Sequence, residues 1–148
     1  MAEITLTINS RLEDVLLVAL AVNRLSAALF SQEDAWRIEL SVVEAVTNVI
    51  KHAYLNTPDK EVSVALSFQD DRLRIQVRDS GCAMDPQLLK DRDARVFCFS
   101  RRNVQALPES GRGIALINQL MDEVCYVRNR GRNTLTLTKY LNSRQRNL

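Results

Sequence analysis

The chain has little of what builds metal clusters or covalent cross-links. It carries a single histidine, His52, and three cysteines at wide spacings, Cys82, Cys98 and Cys125, with no C-x-x-C pair. So sparse a set argues against a zinc site, and the odd cysteine count argues against a disulfide framework; both favour a reducing cytoplasm. Long apolar runs are missing too. The most apolar stretch, Val15 to Val22, is far too short to span a bilayer, and the opening MAEITLTI lacks the basic start and apolar run of a signal peptide. Nor is there an excess of one charge: 20 basic and 18 acidic side chains leave a net charge of +2. That excludes strong steering toward nucleic acid, and the surplus at Arg128, Arg130, Arg132, Arg144 and Arg146 supports a polyanion-binding tail only weakly. Internal repeats and low-complexity segments are absent.

What is there is an ordinary globular composition, 46% apolar over 148 residues, which fits one domain able to bury about two thirds of its unfolded surface. Ile4, Leu6 and Ile8 alternate with polar residues at the period of a half-buried strand. Ser10 and Glu13 form an S-x-x-E pattern that predicts a capping box and a helix through about Leu29. Leu12, Val15, Leu16, Val18, Ala19, Val22, Leu25 and Leu29 exceed one apolar stripe, so this helix is expected in the core or against another subunit. Ser31, three residues before Asp34, opens a second helix that Asn56, Thr57, Pro58 and Asp59 stop near Leu55. Val62 to Phe68 and Leu73 to Val77 alternate on either side of a polar turn, which predicts an antiparallel hairpin.

Asp85 before Pro86 marks a short helix start, and the stretch from about Asp91 to Ser110 loses periodicity. A loop of that length is expected to be a functional lid or disordered. Gly111 and Gly113 precede a helix with the core face Ile114, Ile117, Leu120 and Met121, whose N-terminal N–H groups form an anion site in principle. A lone G-x-G is more often only a flexible entry. Val124 to Arg128 and Leu135 to Leu141 read as two strands around a turn, and residues 142–148 as a frayed basic tail. The order strand, helix, helix, hairpin, lid, helix, hairpin predicts an α+β fold, an α/β sandwich with helices packed on one face of a mixed, mostly antiparallel sheet.

Two places break local rules. On the second helix, Trp36, Leu40, Val43, Thr47, Ile50 and Tyr54 recur at helical spacing as the expected core stripe, and Glu44 and Asn48 stack one turn apart on a neighbouring face. Asparagine inside a helix costs roughly half a kcal/mol against alanine. A solvated charged face is the plainer account of that pair. On the hairpin's second strand, residues 73, 75 and 77 point inward, so Asp79 does too, where a carboxylate is costly without donors. Asp79-Ser80-Gly81 is also ordinary turn chemistry.

In chain order the pieces read E-x-x-x-N-x-x-x-H on a helix, D-x-G after a strand, a lid, then G-x-G opening a helix. Together they resemble the Bergerat ATP-binding fold shared by DNA gyrase, heat-shock chaperones, histidine kinases and mismatch-repair ATPases. Within it the chain is most similar to the bacterial serine-protein kinases that act as anti-sigma factors. EAVTNVIKHAY at 44–54 and SGRGIALINQLMDEV at 110–124 are the most specific stretches, and three of the four glycines fall in the matching motifs.

The resemblance implies a kinase domain over residues 1–141 with a lid at about 83–110. It implies that Asn48 holds the Mg²⁺ bridging the phosphates of ATP and that Glu44 accepts the proton of the attacking hydroxyl. Asp79 then accepts from the adenine amino group, Gly81 lets the backbone pass close to the base, and Gly111, Arg112 and Gly113 set N–H groups against the phosphates. Ala83 and Ile114 belong to the same motifs, Thr134 matches a threonine that assists adenine binding, and His52 packs against the nucleotide. Cys82-Ala83 stands where the family continues toward a second glycine, and Asn133 where it often has glycine.

The function implied is partner switching in the cytoplasm by a homodimer. The protein would sequester a sigma factor, or grip and phosphorylate a STAS-type antagonist of the anti-sigma factor, with no direct contact to nucleic acid or membrane. Two alternatives stand beside it. One is a nucleotide-binding module that sequesters partners without turnover, which the altered Cys82-Ala83 step motivates. The other, the catalytic half of a histidine kinase, fits poorly for want of a helical hairpin bearing a phospho-accepting histidine.

Overall fold

A computed structural model describes residues 1–84, 96–100 and 112–142, for 96–100 and Arg112 the backbone alone. In order the elements are β1 (Ala2–Asn9), α1 (Leu12–Ser26), α2 (Gln32–Asn48), β2 (Glu61–Phe68), β3 (Arg72–Asp79), β4 (Val96–Ser100), α3 (Arg112–Leu120), β5 (Glu123–Asn129) and β6 (Arg132–Tyr140). A five-residue π-helical turn, Val49–Ala53, continues α2. The strands form one six-stranded sheet in the order β1-β2-β3-β6-β5-β4. Every described neighbour pair is antiparallel, so the sheet is not mixed as expected. β4 is a second correction, because residues 96–100 fall within the expected lid yet pair with β5 at the sheet edge. Val96, Phe97 and Phe99 are the strand-forming residues of that stretch. The rest of that segment and the tail from residue 143 lie outside the described residues.

One core joins the three helices to one sheet face. Val15, Val18 and Val22 of α1 and Ile38, Val42 and Val46 of α2 pack with Ile114 and Ile117 of α3 over Val64, Ile75, Val77 and Leu137. Strand parity delivers those sheet residues, since alternate side chains face opposite ways. The inward row of α2 is Ala35, Ile38, Ser41, Val42, Ala45 and Val46, one step round from the stripe expected, and Trp36 is 55% exposed. Small side chains at 35, 41 and 45 let this helix lie close to its neighbours, which outweighs the size of the tryptophan. On α1, Val15, Val18, Ala19 and Val22 are buried while Leu12, Leu16, Leu17 and Leu20 stay exposed.

The capping box does not form. Arg11 is the N-cap of α1 and makes no side-chain cap bond. Ser10 is instead buried and ties two loops together: its Oγ donates to the Thr57 carbonyl at 2.6 Å and accepts from the Lys60 N–H at 3.0 Å. Ser31 does cap α2, accepting from the Asp34 N–H at 3.1 Å. The turn between β5 and β6 is tight because Arg130 and Gly131 both take positive φ, 50° and 76°, as a twisted hairpin requires. Cys125 is disulfide-bonded and stands in register with Cys98 of β4. The sparse cysteines predict no disulfide framework, and a bonded Cys125 qualifies that expectation. Cys82 is free and exposed. No helix of the described residues is long and apolar enough to cross a membrane.

Ser10→Ala removes both half-buried bonds that tie the Thr57 carbonyl and Lys60 N–H to the loop before α1, and is expected to lower unfolding stability by about 1 kcal/mol in urea titrations. Glu13→Ala is expected to leave it nearly unchanged, whereas a capping box would make the two variants comparable.

Candidate active site

Between α2, the end of β3 and the start of α3 lies a cavity of about 420 Å³, within the range of small-ligand sites. Glu44 and Asn48 reach it from α2 and His52 from the π-helical turn. Its floor is the sheet, with Val77, Asp79, Tyr126 and Asn133. Gly113 and Ile114 line it from the entrance of α3, and Cys82, Ala83 and Met84 from the chain leaving β3.

Asp79 is 7% exposed. Burial pushes its carboxyl above the ordinary range, while the Asn133 carboxamide, the Gly81 N–H and the Arg128 guanidinium pull it back. Both hydrogen bonds it accepts fall on Oδ1, from Gly81 N at 2.8 Å and from Asn133 Nδ2 at 2.8 Å. Among the described residues nothing donates to Oδ2, so the carboxylate keeps one acceptor for a ligand. Asn133 in turn accepts at Oδ1 from Tyr126 Oη and from Arg128 Nη1, both at 2.7 Å. Backbone register explains the row: Asp79 pairs with Asn133 across β3 and β6, and Asn133 with Arg128 across β6 and β5.

The segment after Asp79 is latched to the end of α2. Cys82 N donates to the Ala53 carbonyl at 2.8 Å, and Ser80 N to Tyr54 Oη at 2.9 Å. A Cβ on Gly81 would sit 2.4 Å from the Ala53 carbonyl oxygen, so no side chain fits there. On the other wall, a Cβ on Gly113 would lie 2.8 Å from Asn48 Nδ2 and 3.4 Å from Glu44 Oε2. The missing side chain therefore lets the α3 entrance, the positive end of its dipole, come up against the Glu44–Asn48 pair.

Seven expected site residues thus share the cavity: Glu44, Asn48, His52, Asp79, Ala83, Gly113 and Ile114. Two do not line it. Gly81 is pressed on the Ala53 backbone instead of bordering the ligand space. Thr134 alternates onto the opposite sheet face, across from Arg78, so the inward place beside Asp79 belongs to Asn133. Gly111 and the Arg112 side chain lie outside the described residues. Asn133, Tyr126 and Arg128 were not foreseen as site residues; the parity that turns Leu135 and Leu137 inward also turns Asn133 inward and was the available signal.

A spare acceptor at one end and a helix entrance at the other suit an elongated ligand with an amine at its head and an anionic tail, the chemistry of ATP. By class this is an ATP-binding domain. Residues 8–139 match the Histidine kinase-like ATPase domain, and the chain belongs to that family. A relative named Serine-protein kinase RsbW, from Bacillus cereus (strain ZK / E33L), is 34% identical over 116 residues, spanning 78% of this chain and 70% of that protein. The protein of the same name from Bacillus mycoides (strain KBAB4) is 31% identical over 148 residues, spanning 97% and 88%.

Because burial raises the Asp79 carboxyl, this group favours the folded state most at low pH, and that contribution is lost as pH rises through its folded value. Asp79→Asn keeps an acceptor for Asn133 and Gly81 without the buried charge. It is expected to melt at or above the wild-type temperature at neutral pH while losing calorimetric ATP binding, since an amide N–H would face the ligand's own donor. Gly81→Ala meets backbone and is expected to cost about 1–3 kcal/mol of stability, whereas Gly113→Ala meets mainly the tip of Asn48 and should weaken ATP binding more than it lowers the melting temperature.

Proposed function

We propose that the protein is an ATP- and Mg²⁺-dependent protein kinase that phosphorylates a serine or threonine of a STAS-type antagonist of an anti-sigma factor. In the same reading it sequesters a sigma factor when the antagonist does not occupy it, acts as a homodimer and works in the cytoplasm. The observation that carries the reading is the meeting of Glu44, Asn48 and the Gly113 backbone at one end of a cavity whose other end is the spare oxygen of Asp79. The serine-protein kinase names of relatives 31–34% identical support it.

Each residue then has a task. Asp79 Oδ2 accepts from the amino group of the base. The α3 entrance receives the phosphates with backbone N–H groups. Asn48 supplies a neutral oxygen to Mg²⁺, an ion that takes few protein ligands and keeps several waters. An ion held there would supply the positive charge that phosphoryl transfer needs. Glu44, one turn earlier, takes the proton of the attacking hydroxyl. Phosphoryl transfer asks mainly for positioning and charge, so this short set is sufficient. The exposed Leu12, Leu16, Leu17 and Leu20 of α1 support a further contact surface, here given to the second protomer.

Labelled Mg·ATP with a STAS-type partner tests this. Phosphoserine or phosphothreonine on the partner is expected, and Glu44→Gln should still bind ATP while transfer falls about 100-fold or more. Equal transfer by the variant removes Glu44 from its role. Binding of ATP and partner with no label on the partner from the unaltered chain points to sequestration without turnover.

A further inference from the structure

Asp79 has a task in the proposed site, but the Asn133–Arg128–Tyr126 cluster beneath it has none. Asn133 is 2% exposed, and its carboxamide has no freedom to turn. Tyr126 Oη accepts the Met84 N–H at 3.0 Å, so its own proton goes to Asn133 Oδ1. Arg128, a donor only, supplies a second bond to that oxygen. The amide nitrogen is thereby aimed at Asp79 Oδ1, at the Cys82 carbonyl at 3.0 Å and at the Gly81 carbonyl at 3.3 Å.

We infer that Asn133 is the positioning residue that turns Asp79 into a one-oxygen acceptor, and so selects a base presenting a single exocyclic N–H donor over one presenting two adjacent donors. The inference rests on the nucleotide reading above. A free carboxylate takes two parallel N–H donors side by side, one on each oxygen, as the N1–H and amino group of guanine present them. Here Oδ1 already receives Gly81 N and Asn133 Nδ2, the two bonds its lone pairs accommodate. Only Oδ2 is left. Adenine, with an amino group beside an acceptor nitrogen, asks for one such oxygen, whereas guanine leaves its second donor unmatched in a buried place.

The same bond governs the charge. Arg128 and Tyr126 face Asp79 from β5 and Tyr54 from beyond the π-helical turn, while His52 and Glu44 border the shared cavity on the helix side and Cys82 on its own segment. Accepting an amine requires the ionised carboxylate. Asn133 holds the carboxyl down against burial, so without its N–H the acid form persists to higher pH.

Calorimetric titration of the intact chain with ADP, GDP and IDP from acid to neutral pH tests the inference. The wild type is expected to prefer ADP. Asn133→Ala, which leaves Gly81 N as the one donor on Oδ1 and so reopens a place for a second ligand donor there, should narrow the ADP-to-GDP affinity ratio by about tenfold and move the acid limb of ADP binding to higher pH. Asn133→Asp keeps the shape but replaces the donor with an acceptor, and should move that limb further the same way. Should Asn133→Ala fail to fold, Asn133→Asp and Tyr126→Phe carry the test, the latter with a smaller change of the same sign. Unchanged ratio and unchanged acid limb in the folded variants overturn the role of Asn133, as does a wild type that binds ADP and GDP equally. A wild type that binds none of the three overturns the nucleotide reading itself.

Discussion

Asp79 closes a strand whose other inward residues, Leu73, Ile75 and Val77, are among the most deeply buried in the molecule. A charge in that row has lost most of its water, and the surroundings must return hydrogen bonds or the carboxylate gives up its ionisation. Much of the local architecture answers that demand. The turn after β3 folds back so that Gly81 N reaches Oδ1, and β6 brings a carboxamide directly opposite. β5, one strand further, contributes the guanidinium that holds the carboxamide in place. The donors satisfy one oxygen and leave the other, which separates a site from a mere buried polar cluster.

Proximity is the second constraint, and it is met by absence of side chains. Where the β3 exit crosses the end of α2, and where α3 begins beside Glu44 and Asn48, the chain carries glycine. At Gly81 the close neighbour is the Ala53 backbone and at Gly113 the Asn48 and Glu44 side chains, and a Cβ would push either away. The functional helix is therefore gripped from two sides, by the latch of Cys82 on Ala53 and by the entrance of α3. Fixing both ends of the cavity relative to α2 in this way is what positional chemistry such as phosphoryl transfer requires.

Most of this was legible in the residues alone where a period repeats. Alternation alone marks β1, β2, β3, β5 and β6, and it turns Asp79 inward. The pairing of Glu44 with Asn48 followed from helical spacing in the same way. Legibility failed where several faces compete or where the partner is distant. α2 is apolar on more than one side, so the small residues at 35, 41 and 45 decided the packing face, and Trp36 lost the place its size had promised. Ser10 has two possible employments, a local cap and a bond across to Thr57 and Lys60, and nothing nearby in the chain reveals the distant one. β4 is short and sits in a stretch without period, so only its pairing with β5 makes it a strand. Asn133 is visible by parity, whereas the family resemblance points to the neighbouring Thr134, which faces the other way.

The π-helical turn at Val49–Ala53 bears on how such chains are aligned and altered. A π bulge amounts to one residue spliced into an α-helix, advancing everything after it by roughly 100° of azimuth. Up to Asn48 the ordinary helical wheel holds; past it, Tyr54 and the Ala53 carbonyl occupy bearings that the wheel assigns to other positions. Deleting a single amino acid from this turn would regularise the coil and swing that carbonyl off the Cys82 amide, unhooking the Asp79 end of the pocket while Glu44, before the turn, stayed where it is. The fold thus keeps the Asp79 end and the Glu44 end of its cavity in separately adjustable phase.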